Sequence, residues 1–354
     1  AVIAVATNRP ADARVLAATA VATSPTSPAA ALALSYAAQA RFDLEAARTA
    51  AATAVRLAPE SGLARARLAE LELGFGEVER AAGSAAAAGR RAPADARVVA
   101  VQGFVHLTRF EVDAAAAAFL RAIALDGAAG LPHLGLGLAA IRRNRLAEGR
   151  AELELAVALE PAVSLFRSYL GKAYFEELRQ PLAAREYAIA RGLDPHDPTP
   201  YLYDAFAALA ANRPVEALRD VEASIARNDD RAVYRSRLLL DQDLAVRSAS
   251  LSEVFVQLGF TAPARIEAIK SLHRDYANHS AHKLLGDLDA AVPQAVVPSI
   301  QEELIARLLQ PTNANAVDPS FAGQPSFGEY AALYDRPRPR VFLDAFGGTA
   351  DTHV

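Results

Sequence analysis

SLFRSYLGKAYFEELRQPLAAREYAIARGLDPHD, residues Ser164 to Asp197, decides the architecture of this chain. The stretch is 34 residues long and carries two apolar stripes at helical spacing, which makes two amphipathic helices joined by a short turn. Leu170, Gly171 and Tyr174 fall on the first helix, Ala183, Tyr187 and Ala190 fall on the second, and Pro195 closes the unit.

Stepping from Pro195 in units of 34 meets Pro161, Gly127, Pro93, Pro59 and Pro25, and in the other direction Asp229. The eighth position of each unit is small: Ser35, Ala69, Gly103, Gly137, Gly171 and Ala205. The twentieth is Ala47, Ala81, Ala115, Gly149, Ala183 and Ala217, and the twenty-seventh is Ala54, Ala88, Ala122, Ala156, Ala190 and Ser224. In an alanine-rich chain one such column could arise by chance; three columns with a helix stop in fixed phase do not. Paired helices approach closely only where side chains are small, while Leu34, Leu68, Leu136, Leu170, Phe119 and Tyr187 fill the grooves between ridges. A Pro or Gly after the second helix ends it. One hairpin cannot bury its own apolar face, so stability must come from stacking on neighbours.

The pattern Leu170-Gly171, Tyr174, Ala183, Tyr187, Ala190, Pro195 resembles the tetratricopeptide (TPR) repeat. The resemblance implies an all-α fold, a right-handed superhelical TPR solenoid of antiparallel helix hairpins, here followed by an irregular Pro-rich C-terminal tail. Residues 1–27 read as a partial N-terminal repeat, mostly its second helix, so either more chain before Ala1 or another subunit is expected to cover that end. Six units of 34 residues fill 28–231. Asn8-Arg9-Pro10 and Asn212-Arg213-Pro214 lie six whole periods apart, with Asn144-Arg145 in the same column, and they mark the turn inside each hairpin. Phase then slips by one period plus 13 residues, read as an Arg-rich insertion at 232–244. A seventh TPR-like unit follows at 245–278, with Ala264 in the twentieth column. Capping helices are expected within 279–310, and an extended tail or connector over 311–354, where Pro319, Pro325, Pro337 and Pro339 interrupt regular structure.

Composition sets the outer bounds. The 354 residues are 52% hydrophobic and 22% charged, which argues a folded chain, and a net charge of −4 gives no electrostatic case for nucleic acid. No run is long and apolar enough to span a membrane. With no Cys, disulfides, thiolate metal sites and thiol catalysis are excluded.

Three clusters invite a chemical reading. His273, His279 and His282 with Asp275 have metal-like spacing, against a polar junction between repeats. Gly130, Gly135 and Gly137 hint at a phosphate loop, but no strand precedes them and Gly137 belongs to the small-residue column. Asp194, His196 and Asp197 could face a cation, against a solvated inter-repeat turn. The structural reading (polar junction, small-residue column, solvated turn) is the stronger in each case, so neither a cofactor nor a metal is expected. No nucleophile–base arrangement is present, so the chain is not expected to be an enzyme.

The first helix of a TPR hairpin lines the concave face. By phase its inward positions here are Tyr36, Arg67, Glu70, Phe104, Leu138, Tyr169, Lys172, Tyr203 and Phe206, an apolar and aromatic groove suited to a helix or extended segment of another protein. The Lys/Asn/Arg clamp by which some TPR domains capture a peptide C-terminus is absent: the matching places hold Leu32, Tyr36, Arg67 and Arg97. Arg231, Arg235 and Arg237 are candidate contacts in the insertion.

From about Leu165 onward, RSYLGKAY, DPHDPTPYLYDA, NRPVEAL, NDDRAVYRSRLLLDQDLAVRSASL and LLQPTNAN resemble a family of large bacterial envelope proteins in which a TPR region precedes an outer-membrane β-barrel. That implies a periplasmic or outer-membrane location in a Gram-negative bacterium, with Pro311 to Val354 as connector toward a barrel outside these residues. The resulting expectation is a protein–protein interaction scaffold of an envelope assembly for secretion, export or a surface structure. Two alternatives stand beside it: a cytoplasmic TPR adaptor or co-chaperone, and a regulatory TPR region of an enzyme whose catalytic domain lies elsewhere.

Overall fold

A computed structural model describes residues 1–7, 9–228, 240–290 and 296–309. Eighteen helices and no strand occur among them. The stub α1 (Val2–Ala6) and α2 (Pro10–Thr23) form the partial first unit. Six hairpins follow: α3 (Pro28–Gln39) with α4 (Leu44–Leu57), α5 (Gly62–Gly74) with α6 (Val78–Arg91), α7 (Ala96–Thr108) with α8 (Val112–Leu125), α9 (Gly130–Arg142) with α10 (Leu146–Leu159), α11 (Ser164–Glu176) with α12 (Gln180–Leu193), and α13 (Thr199–Ala210) with α14 (Pro214–Ala226). A seventh pairs α15 (Leu240–Gln257) with α16 (Thr261–Arg274), and α17 (His279–Ala290) pairs with α18 (Val296–Leu309). Helix α15 begins inside the stretch read as an insertion. Arg231, Arg235, Arg237 and the tail from Gln310 onward lie outside the described residues.

The first three hairpins start on side-chain caps, and the turns inside the hairpins share one backbone form. Ser27 Oγ accepts the Ala30 N–H, Ser61 Oγ the Ala64 N–H, and Asp95 Oδ1 the Val98 N–H, so side chains satisfy donors that the first turn leaves open. At the other end of the first helix, one residue per hairpin takes positive φ: Phe42, Gly76, Phe110, Asn144, Leu178, Asn212 and Gly259. The next residue then donates its N–H five residues back, as from Asp43 to Ala38, Arg179 to Tyr174 and Phe260 to Phe255. This is the Schellman cap, repeated in every unit.

Packing follows the three small columns. Every alanine and serine in them is wholly buried. A Cβ on Gly171 would fall 2.5 Å from the Tyr187 ring and one on Gly103 2.6 Å from Phe119, so these large side chains occupy the space the glycines leave. Each second helix packs on its own partner and on the first helix of the next unit, and first helices of successive units also touch (α5 with α7, α7 with α9, α11 with α13). A curved stack whose first helices sit closer together puts them on the inner wall and leaves second helices outside. Leu120, Leu155 and Ile266, on α8, α10 and α16, are exposed accordingly. No helix among the described residues is long and apolar enough to cross a membrane.

Candidate functional site

The inner wall divides into two halves of different character. In α9, α11 and α13 almost every residue is buried, because helices on either side and the paired second helix leave no open face. Leu138, Tyr169, Lys172, Tyr203 and Phe206, assigned by phase to the open groove, therefore lie in the interior. Lys172 is wholly buried and forms an ion pair with Glu176 one turn along the same helix, with the Phe175 ring 5.9 Å away. Phase assigns a side chain to a face of its helix; it does not report whether neighbouring helices cover that face.

Over α3, α5 and α7 the wall stays accessible and charged. Arg67 is buried and held on three sides. Its Nε donates to Ser35 Oγ (2.9 Å), its Nη2 to the Ser35 carbonyl (3.2 Å) and its Nη1 to Glu70 Oε2 (2.9 Å). Arg97 approaches the same carboxylate from the next unit, Nε at 3.1 Å and Nη2 at 2.8 Å from Glu70 Oε1. Both guanidinium groups stack over Tyr36, at 3.9 Å for Arg67 and 5.3 Å for Arg97 from the ring centre. Phe104 lies further along, partly buried, its ring edge-on to Phe119 at 4.9 Å.

The electrostatics follow from this geometry. Burial works against the Glu70 carboxylate, but the charges of Arg97 and then Arg67 outweigh it and hold its carboxyl below the usual range. Tyr36 is pushed up, by burial first and by Glu70 next, against the two arginines. Arg97 is raised, chiefly by Glu70, with a further contribution from Glu160. In this cluster Arg67 and Arg97 share the Glu70 carboxylate, with Glu160 acting on Arg97 from further off. Arg97 is its outermost member, 45% exposed.

Arg97 was not among the groove residues read from phase, although the signal existed. The inward stripe runs through positions six and nine of each unit, and one helical turn earlier it passes through position two, which is Arg97 in the third unit.

The remaining clusters resolve as packing. His279 Nδ1 lies 2.6 Å from the Ala306 carbonyl; His282 sets Nδ1 against Glu302 and Nε2 2.8 Å from the Tyr276 carbonyl, so both fasten α18 to α17. Among the described residues no group of three or more His, Asp or Glu could hold a metal ion. Gly135 faces Phe119, and Gly137 crosses Gly149, all on helices rather than a phosphate loop. Asp197 is not solvated: it is wholly buried, accepting from Ser164 Oγ at 3.1 Å and from the Thr199 N–H at 2.8 Å.

Helix hairpins in a 34-residue register, with first helices inside, define a helical solenoid of the TPR type. Among solved structures the chain is similar to one titled as the APC/C hetero-tetramer Cut9–Hcn1, with TM-score 0.69 and 14% identity over 80% of this chain and 55% of that one. It is similar to the human IFIT1 dimer with m7Gppp-AAAA, with TM-score 0.57 and 14% identity over 85% and 68%. It is also similar to Pseudomonas aeruginosa pilF, with TM-score 0.51 and 16% identity over 61% and 92%. The chain spans about half the length of the Cut9–Hcn1 chain that it matches. At such identities the likeness is one of fold. No protein-family model matches the chain, and no curated protein matches it.

Proposed function

We propose that this chain is a protein-interaction scaffold that holds a partner polypeptide against the wall formed by Tyr36, Arg67, Glu70, Arg97 and Phe104. The observation that carries the reading is the half-exposed Arg97 guanidinium, fixed by Glu70 and stacked on Tyr36 on the inward stripe. A planar donor held in place by other side chains loses little freedom on binding a carboxylate or carbonyl, and the neighbouring rings favour an apolar side chain beside it. An extended segment with an acidic residue next to an aromatic or aliphatic one fits that chemistry. Solenoids commonly use their concave surface in this way.

The assembly in question, in this reading, belongs to the envelope of a Gram-negative bacterium and serves secretion, export or a surface structure. Support comes from the resemblance of RSYLGKAY, DPHDPTPYLYDA and RAVYRSRLLLD to TPR regions that precede an outer-membrane barrel. Fractionation of the native organism tests this part: recovery with the periplasm or outer membrane agrees with it, and recovery in the cytosol overturns it.

The binding part is tested with a phage-displayed library of random peptides selected on the immobilised chain. Selected peptides should lose affinity at least about tenfold, or 1.4 kcal/mol, with Arg97→Ala, and be unaffected by Leu120→Ala on the convex face. Peptides indifferent to Arg97→Ala, or a selection that yields none, would overturn it.

A further inference from the structure

The two edges of the solenoid are built from different turns. Turns within hairpins lie along one edge, and turns between hairpins, such as the one holding Asp194 and His196, lie along the other. Phe42, in the α3–α4 turn, and His196, in the α12–α13 turn four hairpins later, therefore belong to opposite edges. Their rings nevertheless lie 5.3 Å apart, tilted at 58°. Opposite edges meet only when successive superhelical turns touch along the axis, an offset of about one hairpin height, roughly 20 Å for a thirteen-residue helix.

One further observation bears on the same place. A cleft of about 520 Å³ adjoins the contact, lined by Val5, Tyr36, Gln39, Phe42, Pro195 and His196 among others. Tyr36 thus belongs to both the cleft and the charged wall. Phe42 holds φ at +63° through the hairpin cap it shares with the other units, so that backbone belongs to the turn and not to the clasp.

We propose that Phe42 and His196 form a clasp that closes one superhelical turn on the next, so that a partner polypeptide reaches the inner wall end-on, or from the side only once the clasp opens. The route of entry rests on the proposed function; the clasp is a property of the free chain. Closure would restrict the partner to a segment with a free end.

The chain has no cysteine, so paired labels can be placed cleanly. Arg41 and Gly192 are exposed, flank the two turns, and a Cβ on Gly192 meets nothing within 4 Å. Spin labels on Arg41→Cys with Gly192→Cys should give a single narrow, short distance by pulsed electron paramagnetic resonance. Adding Phe42→Gly, which suits the backbone there, or His196→Ala should broaden it toward longer distances while circular dichroism stays unchanged. A broad parent distribution, or one unmoved by both substitutions, overturns the clasp. A bis-maleimide crosslink between the same cysteines then tests entry. It should leave capture of a selected linear peptide intact and slow capture of the same sequence in a closed loop of a folded carrier by about tenfold or more. Equal rates for both would overturn end-on entry while leaving the groove itself in place.

Discussion

Gly137 and Gly149 cross with no side chain between them: a Cβ on Gly137 would lie 2.9 Å from the Gly149 carbonyl, and one on Gly149 2.7 Å from that of Gly137. The fourth hairpin closes on backbone, which cannot move aside as a flexible side chain can. Gly137→Ala and Gly149→Ala should each destabilise the chain by about 1–3 kcal/mol, seen as a lower urea midpoint with little change in slope. Gly83→Ala and Gly192→Ala, at helical sites where a Cβ meets nothing within 4 Å, should stabilise by up to about 1 kcal/mol. Equal effects at all four would contradict the close crossing.

Leu178 provides a test of the hairpin turn. It holds φ at +61° and is exposed, so its side chain contributes little to set against the strain. Leu178→Asn should raise stability by a few tenths to about 1 kcal/mol, and Asn144→Val in the same column should lower it by about 1–2 kcal/mol. Thermal melting of the two variants measures both; a destabilising Leu178→Asn would count against the shared cap.

Glu70 should make the wall sensitive to acid. Its folded-state carboxyl lies below its unfolded value, so the stabilisation it provides is complete above the unfolded value of about 4.3 and is lost as pH falls through the folded one. Glu70→Gln leaves Arg67 buried without its anion and should cost about 3 kcal/mol near neutral pH. The gap between wild type and variant, from urea melts, should hold from about pH 7 to 5 and shrink below about 4. A gap that widens toward low pH would contradict the sign.

Tyr187 separates volume from polarity. It is wholly buried over Gly171, and among the described residues its hydroxyl has no hydrogen-bond partner; burial first, then Asp204 and Glu176, push its ionisation far up. Tyr187→Phe should be neutral or mildly stabilising, because it removes an unsatisfied polar atom. Tyr187→Ala should cost about 3–5 kcal/mol through the cavity it leaves.

The fold was legible because its period is enforced by contact. Ser35, Ala69 and Gly103 must be small for helices to meet, and Pro59, Pro93 and Pro161 must stop them, so sequence and packing carry the same 34-residue beat. The turn was half legible. Gly76, Asn144 and Asn212 announce left-handed backbone, whereas Phe42, Phe110 and Leu178 occupy the same conformation against their preference. The site was less legible still. Tyr36, Arg67 and Glu70 follow from phase, but whether an inward residue meets a channel or a neighbour depends on curvature, which has no period. Lys172 and Tyr169 share the register of Glu70 and Arg67, yet they are interior.

Protection of single cysteines tests the central claim, that the inner wall of the first hairpins is where a partner lies. Leu63→Cys, in the column of Arg97 one unit earlier and exposed, and Leu120→Cys and Leu155→Cys on the outer helices, would each be the sole thiol of the chain. Maleimide labelling is then timed with and without a peptide selected on the wild-type chain. The account predicts that a saturating peptide slows labelling of Leu63→Cys by about tenfold or more and leaves both outer sites unchanged. Protection of an outer site with Leu63→Cys still fully reactive would contradict it.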